Sequence, residues 1–273
     1  MPKTTAAILA AMACALTFIV LVPSAAAQNA VAAQQYSATA QRVLNQARSV
    51  SGGPGWNTIR GVHETGRRAG VRYESWRDPV RYGQRIETHE AAGRRVRAFN
   101  GAAEWQILPT GQATGADDIG TVARARSEAF FGSFGYFFPS RYDIRTAYVG
   151  VRKQGDRTFE VIIVRPAGGL PRELWFDRRT SLLARIVNRS GPTVTTTEVL
   201  DYRRVGAIMA PFKYVTDGVE RTVEAIDFRA TDRDSFSLPY VAPPTPAPPA
   251  KTPTPAKTAP TAKTTPPLKY PKP

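Results

Sequence analysis

The sequence predicts a mainly β fold of the α+β class: a strongly curved antiparallel sheet, or unclosed half-barrel, of about ten to twelve strands. An N-terminal helix and a covering helical segment complete it. Three observations predict this fold. Apolar and polar residues alternate through many short segments separated by turn residues, one early stretch has helical periodicity, and one aromatic-rich stretch interrupts the strands;. A sheet of this size usually curls, because flat open edges promote aggregation.

The first residues have the three parts of a secretory signal peptide. Lys3 supplies the positive start, residues 6–22 form an apolar run, and an Ala-rich site ends at Ala27;. We therefore expect a cleaved signal peptide over residues 1–27 and a mature protein in the periplasm. The alternative is a membrane anchor, but the apolar run has 17 residues, at the lower edge of the spanning range. Cys14, the one cysteine, lies inside this run, so we expect neither disulfides nor a thiol nucleophile in the mature chain;.

The C-terminal residues 239–273 have a different composition. They consist mainly of Pro, Ala, Thr and Lys, with no acidic residue. Such a segment cannot bury enough apolar surface to fold. We expect a disordered basic tail, either a solvated linker or an arm that rests on an anionic envelope surface. Residues 28–238 then form one β domain, a suitable length for a single core.

The chain is strongly basic, with a formal net charge of +15. Basic charge often indicates nucleic-acid binding, but export argues against that partner. The arginines are also scattered through strand-like segments rather than clustered. An anionic lipid or membrane surface suits the compartment better. We expect no nucleic-acid partner, no cofactor and a monomeric protein.

The predicted elements follow in chain order. Residues 32–50 form the helix, since apolar residues recur at three- and four-residue spacing, and the Ser-Gly-Gly-Pro-Gly run at 51–55 ends it;. An antiparallel meander follows, then a helical segment over 117–139 in which six of the ten residues 129–138 are aromatic. Seven further strands come after it. The predicted strands are 58–64, 71–77, 81–88, 94–99, 103–108, 142–153, 158–165, 173–177, 182–188, 194–204, 210–216 and 221–229.

Three segments resemble the outer-membrane lipoprotein-sorting proteins, the periplasmic lipoprotein carriers and their relatives. Residues 173–183 (ELWFDRRTSLL) are similar to a hairpin of that superfamily with an Asp and a Thr at the turn. Residues 201–212 (DYRRVGAIMAPF) and 95–105 (RVRAFNGAAEW) are similar to two further hairpins. The three occur in family order within 43–238. Asn100 replaces the usual Asp, Arg178 follows Asp177, and the tail is not part of the pattern.

The resemblance implies an unclosed barrel that binds acyl chains in a hydrophobic cavity under helices. The partner would be a lipid or an acylated lipoprotein. The aromatic segment is then the strongest candidate for a binding site, although the same aromatics could simply fill a core. We expect these seven residues to line a hydrophobic cavity: Trp76, Trp105, Phe130, Phe134, Phe137, Trp175 and Phe212.

Residues for catalysis or metal binding are few. His63 and His89 are the only histidines, and they form no compact cluster with metal-ligand spacing;. Ser133 lies between glycines but in no Gly-x-Ser-x-Gly motif;. We therefore expect no catalytic residue, no metal site and a non-enzymatic binding protein. Two alternatives remain: an interaction module with a self-filled core and a tethered tail, and an unrecognised hydrolase using Ser133 and His63.

Overall fold

The computed structural model describes residues 25–237. The predicted signal segment up to residue 24 and the predicted tail 239–273 lie outside the described residues. Helix α1 spans Ala25–Ser51, so it begins seven residues before the predicted helix, and Ala27 lies in its first turn. Within residues 25–237, no helix has both the length and the hydropathy required to cross a membrane.

The strands form two runs with one helix between them. A 3₁₀ turn, Gly53–Thr58, leads from α1 into the first run, and a second 3₁₀ turn, Gly135–Phe137, follows α2. The first run is β1 Val62–Arg68, β2 Val71–Asp78, β3 Gly83–Glu90, β4 Gly93–Phe99, β5 Glu104–Ile107 and β6 Ala113–Ala116, followed by α2 Ile119–Gly132. The second run is β7 Ile144–Gln154, β8 Arg157–Pro166, β9 Arg172–Asp177, β10 Leu183–Asn188, β11 Thr195–Val205, β12 Ile208–Thr216 and β13 Val219–Asp227, followed by a 3₁₀ turn, Arg233–Phe236.

All thirteen strands belong to one antiparallel sheet. Its order is β6-β5-β4-β3-β2-β1-β13-β12-β11-β10-β9-β8-β7. The two runs are therefore two meanders, joined where β1 pairs with β13. The sheet is not closed, since β6 and β7 are its two edges. The predicted fold class, a large unclosed antiparallel sheet with an N-terminal helix and a covering helical segment, is confirmed.

Two strand predictions differ from the structure. The predicted strand 58–64 begins as the 3₁₀ turn, and β1 runs instead to Arg68. Residues 66–68 (Gly-Arg-Arg) have no apolar side chain, so the alternation of apolar and polar residues stops before the strand does. Strand β6, Ala113–Ala116, lies where a loop was predicted, because its residues are small and pair only at the sheet edge. The sheet thus has thirteen strands, one more than the twelve counted.

The main core lies between the concave face of the sheet, α1 and the aromatic segment. Trp56 is at its centre, with its ring centroid 5.3 Å from that of Phe134 and 4.9 Å from that of Phe137. The indole N–H of Trp56 donates to the hydroxyl of Ser51 at the end of α1. Helix α1 contributes Ala40 and Leu44, both at most 1% exposed. This packing fixes α1 and the aromatic segment on the same end of the hollow.

The structure predicts a clear contrast between two apolar side chains of α2. Phe130 is 0% exposed, whereas Ile119 is 89% exposed. We expect Phe130→Ala to lower the free energy of unfolding by about 3–5 kcal/mol, because it leaves a cavity in the core. Ile119→Ala should change it by no more than about 0.5 kcal/mol. Urea denaturation followed by tryptophan fluorescence measures both, and equal effects would contradict this core assignment.

Candidate functional site

The hollow of the sheet has a filled end and an open end. Alternate residues of β12 point into it, because side chains on one face of a strand recur every two residues. Ile208, Ala210 and Phe212 belong to the packed core. Tyr214 and Thr216, further along the same face, line an open cavity. The change from core to cavity therefore occurs within a single strand.

The open end encloses a cavity of about 390 Å³. Its walls come from strands far apart in the sheet order, such as β4 and β9, so the sheet curls around it. Five arginines contribute to the walls: Arg68, Arg77, Arg97, Arg172 and Arg221. The apolar and aromatic part of the wall consists of Tyr73, Ile86, Phe131, Ile186, Tyr214 and Val219. The remaining lining residues are Gln84, Thr88, Glu128, Gly132, Asn188, Thr195, Thr197 and Thr216.

Helix α2 covers the cavity with its last turn. Asp118 caps its start by accepting a hydrogen bond from the Thr121 N–H at 2.9 Å;. A methyl group added at Gly132 would lie 2.6 Å from the Nε atom of Arg77, so a larger residue here would displace the Arg77 side chain. Phe134 then adopts a left-handed backbone conformation (φ 58°), which separates α2 from the 3₁₀ turn that follows;.

Polar contacts fasten α2 to strands on both sides. Arg97 of β4 donates to the Glu128 carboxylate at 2.6 Å. The hydroxyl of Ser127 accepts from the Leu170 N–H at 2.6 Å, just before β9. These two contacts hold the helix across the hollow, and any opening of the cover through α2 must break them.

A buried charged network lies behind the cavity wall. Glu64 of β1 is 2% exposed and accepts hydrogen bonds from the Arg221 guanidinium at 2.6 Å and from the Tyr73 hydroxyl. The Nη1 atom of Arg77 lies 3.6 Å from the other carboxylate oxygen of Glu64. The Arg221 guanidinium also lies 3.8 Å from the ring centroid of Tyr214. One carboxylate thus organises two arginines and a tyrosine across β2, β1 and β13.

The network shifts the titration of its members. Burial alone would raise the pKa of Glu64, but Arg221 and Arg77 outweigh it and the pKa lies below its ordinary value;. Burial and the nearby Glu64 carboxylate raise the pKa of Tyr73. Burial raises the pKa of Tyr214 to about 12, although Arg221 opposes the shift. At neutral pH the carboxylate is ionised, and both phenols keep their protons.

The structure separates the seven predicted cavity residues into two groups. Phe130, Phe134, Phe137 and Phe212 lie in the packed core at the filled end, each at most 7% exposed. This core borders the cavity, because Phe131, which belongs to the same core, lines the cavity. These four therefore occupy the hollow themselves, next to the open space.

The three predicted tryptophans lie on the convex face. Each alternates with residues that point into the hollow, for example Trp76 beside Arg77;. Trp105 packs with Val96 and Ala98, and its indole N–H donates to the Phe236 carbonyl at 2.9 Å. Trp175 packs against Phe159 in another outer cluster. They cover the outside of the sheet.

The arginines of the cavity were not among the residues predicted from the sequence. The aromatic residues were expected to line the cavity, and no role was assigned to the arginines of the strands. At the open end, Tyr73 and Arg77 share the inner face, whereas Trp76 is outside. A usable signal was that Arg77 and Tyr73 are four residues apart in one strand and so must share a face.

The candidate catalytic residues are not assembled into a site. The His63 ring lies on the convex face, 2.7 Å from a Glu74 carboxylate oxygen and stacked on Trp76. Ser133 is buried, and its hydroxyl donates to the Phe130 carbonyl at the end of α2. Over the part of the chain that the structure describes, no group of three or more His, Cys, Asp or Glu side chains could hold a metal ion.

The buried network predicts a strong dependence of stability on Glu64. We expect Glu64→Gln to lower the free energy of unfolding by about 3–5 kcal/mol at pH 7, because Arg221 and Arg77 lose their counter-charge. Glu224→Gln is the matched control on β13. Its carboxylate pairs with Arg67 at 3.2 Å on the exposed surface, and its loss should cost about 0–1 kcal/mol. Chemical denaturation measures both variants.

The contribution of the Glu64 carboxylate to stability is also predicted to depend on pH. Because the pKa of Glu64 is lowered by folding, its ionised form stabilises the fold above the ordinary pKa of about 4.3. That contribution is lost as the pH falls through the lower folded-state pKa. The stability difference between the wild type and Glu64→Gln should therefore shrink below roughly pH 4. A difference that stays constant from neutral pH into strong acid would contradict the proposed role of the carboxylate.

Comparisons with known proteins give structural likeness alone. No family model and no curated protein matches the chain. A LolA superfamily protein, NE2245 from Nitrosomonas europaea, is 14% identical with a TM-score of 0.47, covering 73% of this chain and 97% of that one. A DUF1329 family protein from Desulfovibrio piger is 10% identical with a TM-score of 0.47, covering 74% and 96%.

A third structure, an uncharacterized conserved protein from Thermus thermophilus, is 12% identical with a TM-score of 0.36, covering 74% of this chain and 94% of that one. At these identities the likeness concerns the fold and carries no information about a ligand. What this chain binds has to be argued from its own cavity.

Proposed function

We propose that this protein is a non-enzymatic binding protein of the periplasm, which holds a lipid or the acyl chain of a lipoprotein in the open end of its hollow. The observation that carries the proposal is the cavity of about 390 Å³ between the curled sheet and the last turn of α2. Ligand sites of proteins are commonly about 300–1,000 Å³ in volume and largely formed before the ligand binds. The cavity fits that description.

The apolar part of the wall supports binding of a hydrocarbon chain. Ile86, Phe131 and Ile186 line the cavity from β3, α2 and β10. Each methylene transferred from water to such a surface contributes about 0.8 kcal/mol. A chain of several methylenes could therefore be held without any covalent step.

The path of entry follows from the architecture. The filled end is blocked by Trp56 and the aromatic segment, so a ligand enters from the opposite end of the strands. Arg68, at the end of β1, is exposed at this rim. Helix α2 is fastened by the Glu128 and Ser127 contacts and forms a cover that opens only when they break.

The periplasmic location is proposed from sequence. The predicted signal peptide 1–27 supports export, and a mature chain without cysteine does not depend on an oxidising compartment to fold;. The continuous core from α1 to β13 supplies its stability. The tail 239–273 is proposed to reach an anionic envelope surface.

A second candidate function is an interaction module with a self-filled core. The observation that favours it is the packing of Phe130, Phe134 and Phe137 with Trp56 in one apolar core, which fills one end of the hollow. On this alternative the remaining cavity has no physiological ligand, and the tail provides the function. Deletion of residues 243–273 separates the candidates, since loss of cellular function with probe binding intact would favour the module.

Filling the cavity tests the binding proposal. Thr197 lines the cavity from β11, while its neighbour Thr196 lies on the other face of the same strand;. We expect Thr197→Trp to weaken the binding of a fluorescent fatty acid by about tenfold or more, equivalent to about 1.4 kcal/mol. Thr196→Trp should bind within about twofold of the wild type.

Fluorescence titration measures both affinities, and thermal unfolding confirms that each variant is folded. Thr197→Trp loses the hydrogen bond between the Thr197 and Thr216 hydroxyls, which are 2.8 Å apart. Its thermal unfolding midpoint must therefore be compared with that of Thr196→Trp. Equal binding by two folded variants would show that the probe does not use this cavity.

A further inference from the structure

The cavity has more positive charge than its structure neutralises. Among the residues described as lining it, five are arginines and Glu128 is the one carboxylate. Glu64, directly behind the wall, and Glu104, 3.7 Å from Arg97, add two more. Within the described part of the chain, neither Arg68 nor Arg172 has a carboxylate oxygen within 4.0 Å; the ion pairs of the wall are those of Arg77, Arg97 and Arg221. A purely apolar ligand would leave this surplus charge without a partner.

Arg77 is the most informative of these side chains. It is 5% exposed, and its Nε and Nη1 atoms have no hydrogen-bond partner among the described residues. The nearest carboxylate oxygen, on Glu64, is 3.6 Å from Nη1, and that carboxylate already accepts from Arg221 and Tyr73. Buried guanidinium N–H groups are costly when unpaired. A hydrogen-bond acceptor supplied by a bound ligand would therefore stabilise the Arg77 side chain.

Arg172 approaches the same part of the cavity from β9. Its guanidinium lies 4.7 Å from the ring centroid of Phe131, the residue before the Gly132 that contacts Arg77. Burial lowers the pKa of Arg172, partly offset by Glu128, but a guanidinium stays protonated in proteins. Two arginine side chains therefore converge on the last turn of α2.

Two further arginines, Arg68 and Arg221, add positive charge near the rim of the cavity. Arg68 of β1 is directly opposite Arg221 of β13 in the register. Like charges opposite each other destabilise a strand pair. Of these two arginines, only Arg221 is paired with a carboxylate of residues 25–237. The fold therefore tolerates positive charge along one wall, from the rim to the deep end.

We infer that the ligand of this cavity carries an anionic group, a phosphate or a carboxylate, which Arg77 and Arg172 bind beneath the last turn of α2. The inference rests on the proposed function and narrows its ligand to an anionic amphiphile. The planar fork of a guanidinium matches phosphate and carboxylate oxygens, and hydrogen bonds between two charged groups are among the strongest in proteins. The hydrocarbon part then lies against Ile86 and Ile186.

A structural role for the two arginines makes a different prediction. Cations near the C-terminal end of a helix are favourable for its dipole, and Arg172 also packs on Phe131;. If that were their whole role, their loss would change stability and would affect the binding of charged and neutral ligands equally. The ratio of the two affinities is therefore the informative quantity.

The test compares three probes by isothermal titration calorimetry with the mature full-length protein. Dodecyl phosphate and monolauroylglycerol have hydrocarbon chains of similar length with an anionic and a neutral head, and inorganic phosphate has no chain. The variants are Arg172→Gln and Arg172→Lys, with Arg77→Gln as a second site. Arg152→Gln on the edge strand β7 is the control, because Arg152 is exposed and outside the cavity.

We expect the wild type to bind dodecyl phosphate at least about tenfold more tightly than the neutral lipid. Arg172→Gln should reduce this preference to within about threefold, Arg172→Lys should keep part of it, and Arg152→Gln should keep all of it. If Arg172→Gln unfolds, loss of the preference in folded Arg77→Gln supports the inference, and its retention there overturns it.

The remaining outcomes distinguish the inference from the proposed function. Equal affinity for the charged and neutral lipids would overturn the anionic site while leaving lipid binding in place. Inorganic phosphate that binds as tightly as dodecyl phosphate would support the anionic site but overturn the assignment of an amphiphile. Failure of all three probes to bind would overturn the inference together with the proposed function.

Discussion

The pairing of β1 with β13 is the contact on which the rest of the molecule depends. It joins the first meander, β1 to β6, to the second, β7 to β13, so that two runs separated by α2 form one sheet of thirteen strands. The Glu64–Arg221 ion pair spans the same junction on the inner face. Without this pairing, each meander would have an additional open edge, and no hollow could form between them.

The division of the hollow follows from what covers each end. Helix α1 and the aromatic segment supply enough apolar surface to fill one end around Trp56. Threonines and arginines replace Val, Leu and Phe at the other end, and these polar side chains cannot be buried there without partners. The open cavity is therefore a consequence of composition along the strands: Val199 lies in the core and Thr197 lines the cavity on the same face of β11.

The alternation of the sequence predicted the sheet, its antiparallel meanders and most strand positions, because turn residues and period-two patterning are local signals. It could not predict which face of each strand is concave, since both faces carry large apolar residues. On the convex face, arginine side chains cover tryptophans: Arg85 lies over Trp76 and Arg185 over Trp175, with Cζ-to-centroid distances of 5.7 and 5.1 Å;. These contacts account for part of the arginine surplus and explain why tryptophan alone was a poor guide to the cavity.

Native mass spectrometry can show whether the open end of the hollow holds a ligand when the protein is isolated from cells. The precursor would be expressed with its predicted signal peptide, and the mature protein purified from the periplasm without detergent. We expect species heavier than the polypeptide, whose extra mass is released on collisional activation and corresponds to an anionic lipid or acylated peptide. A single mass equal to the bare polypeptide, from protein that also takes up no added amphiphile, would contradict it.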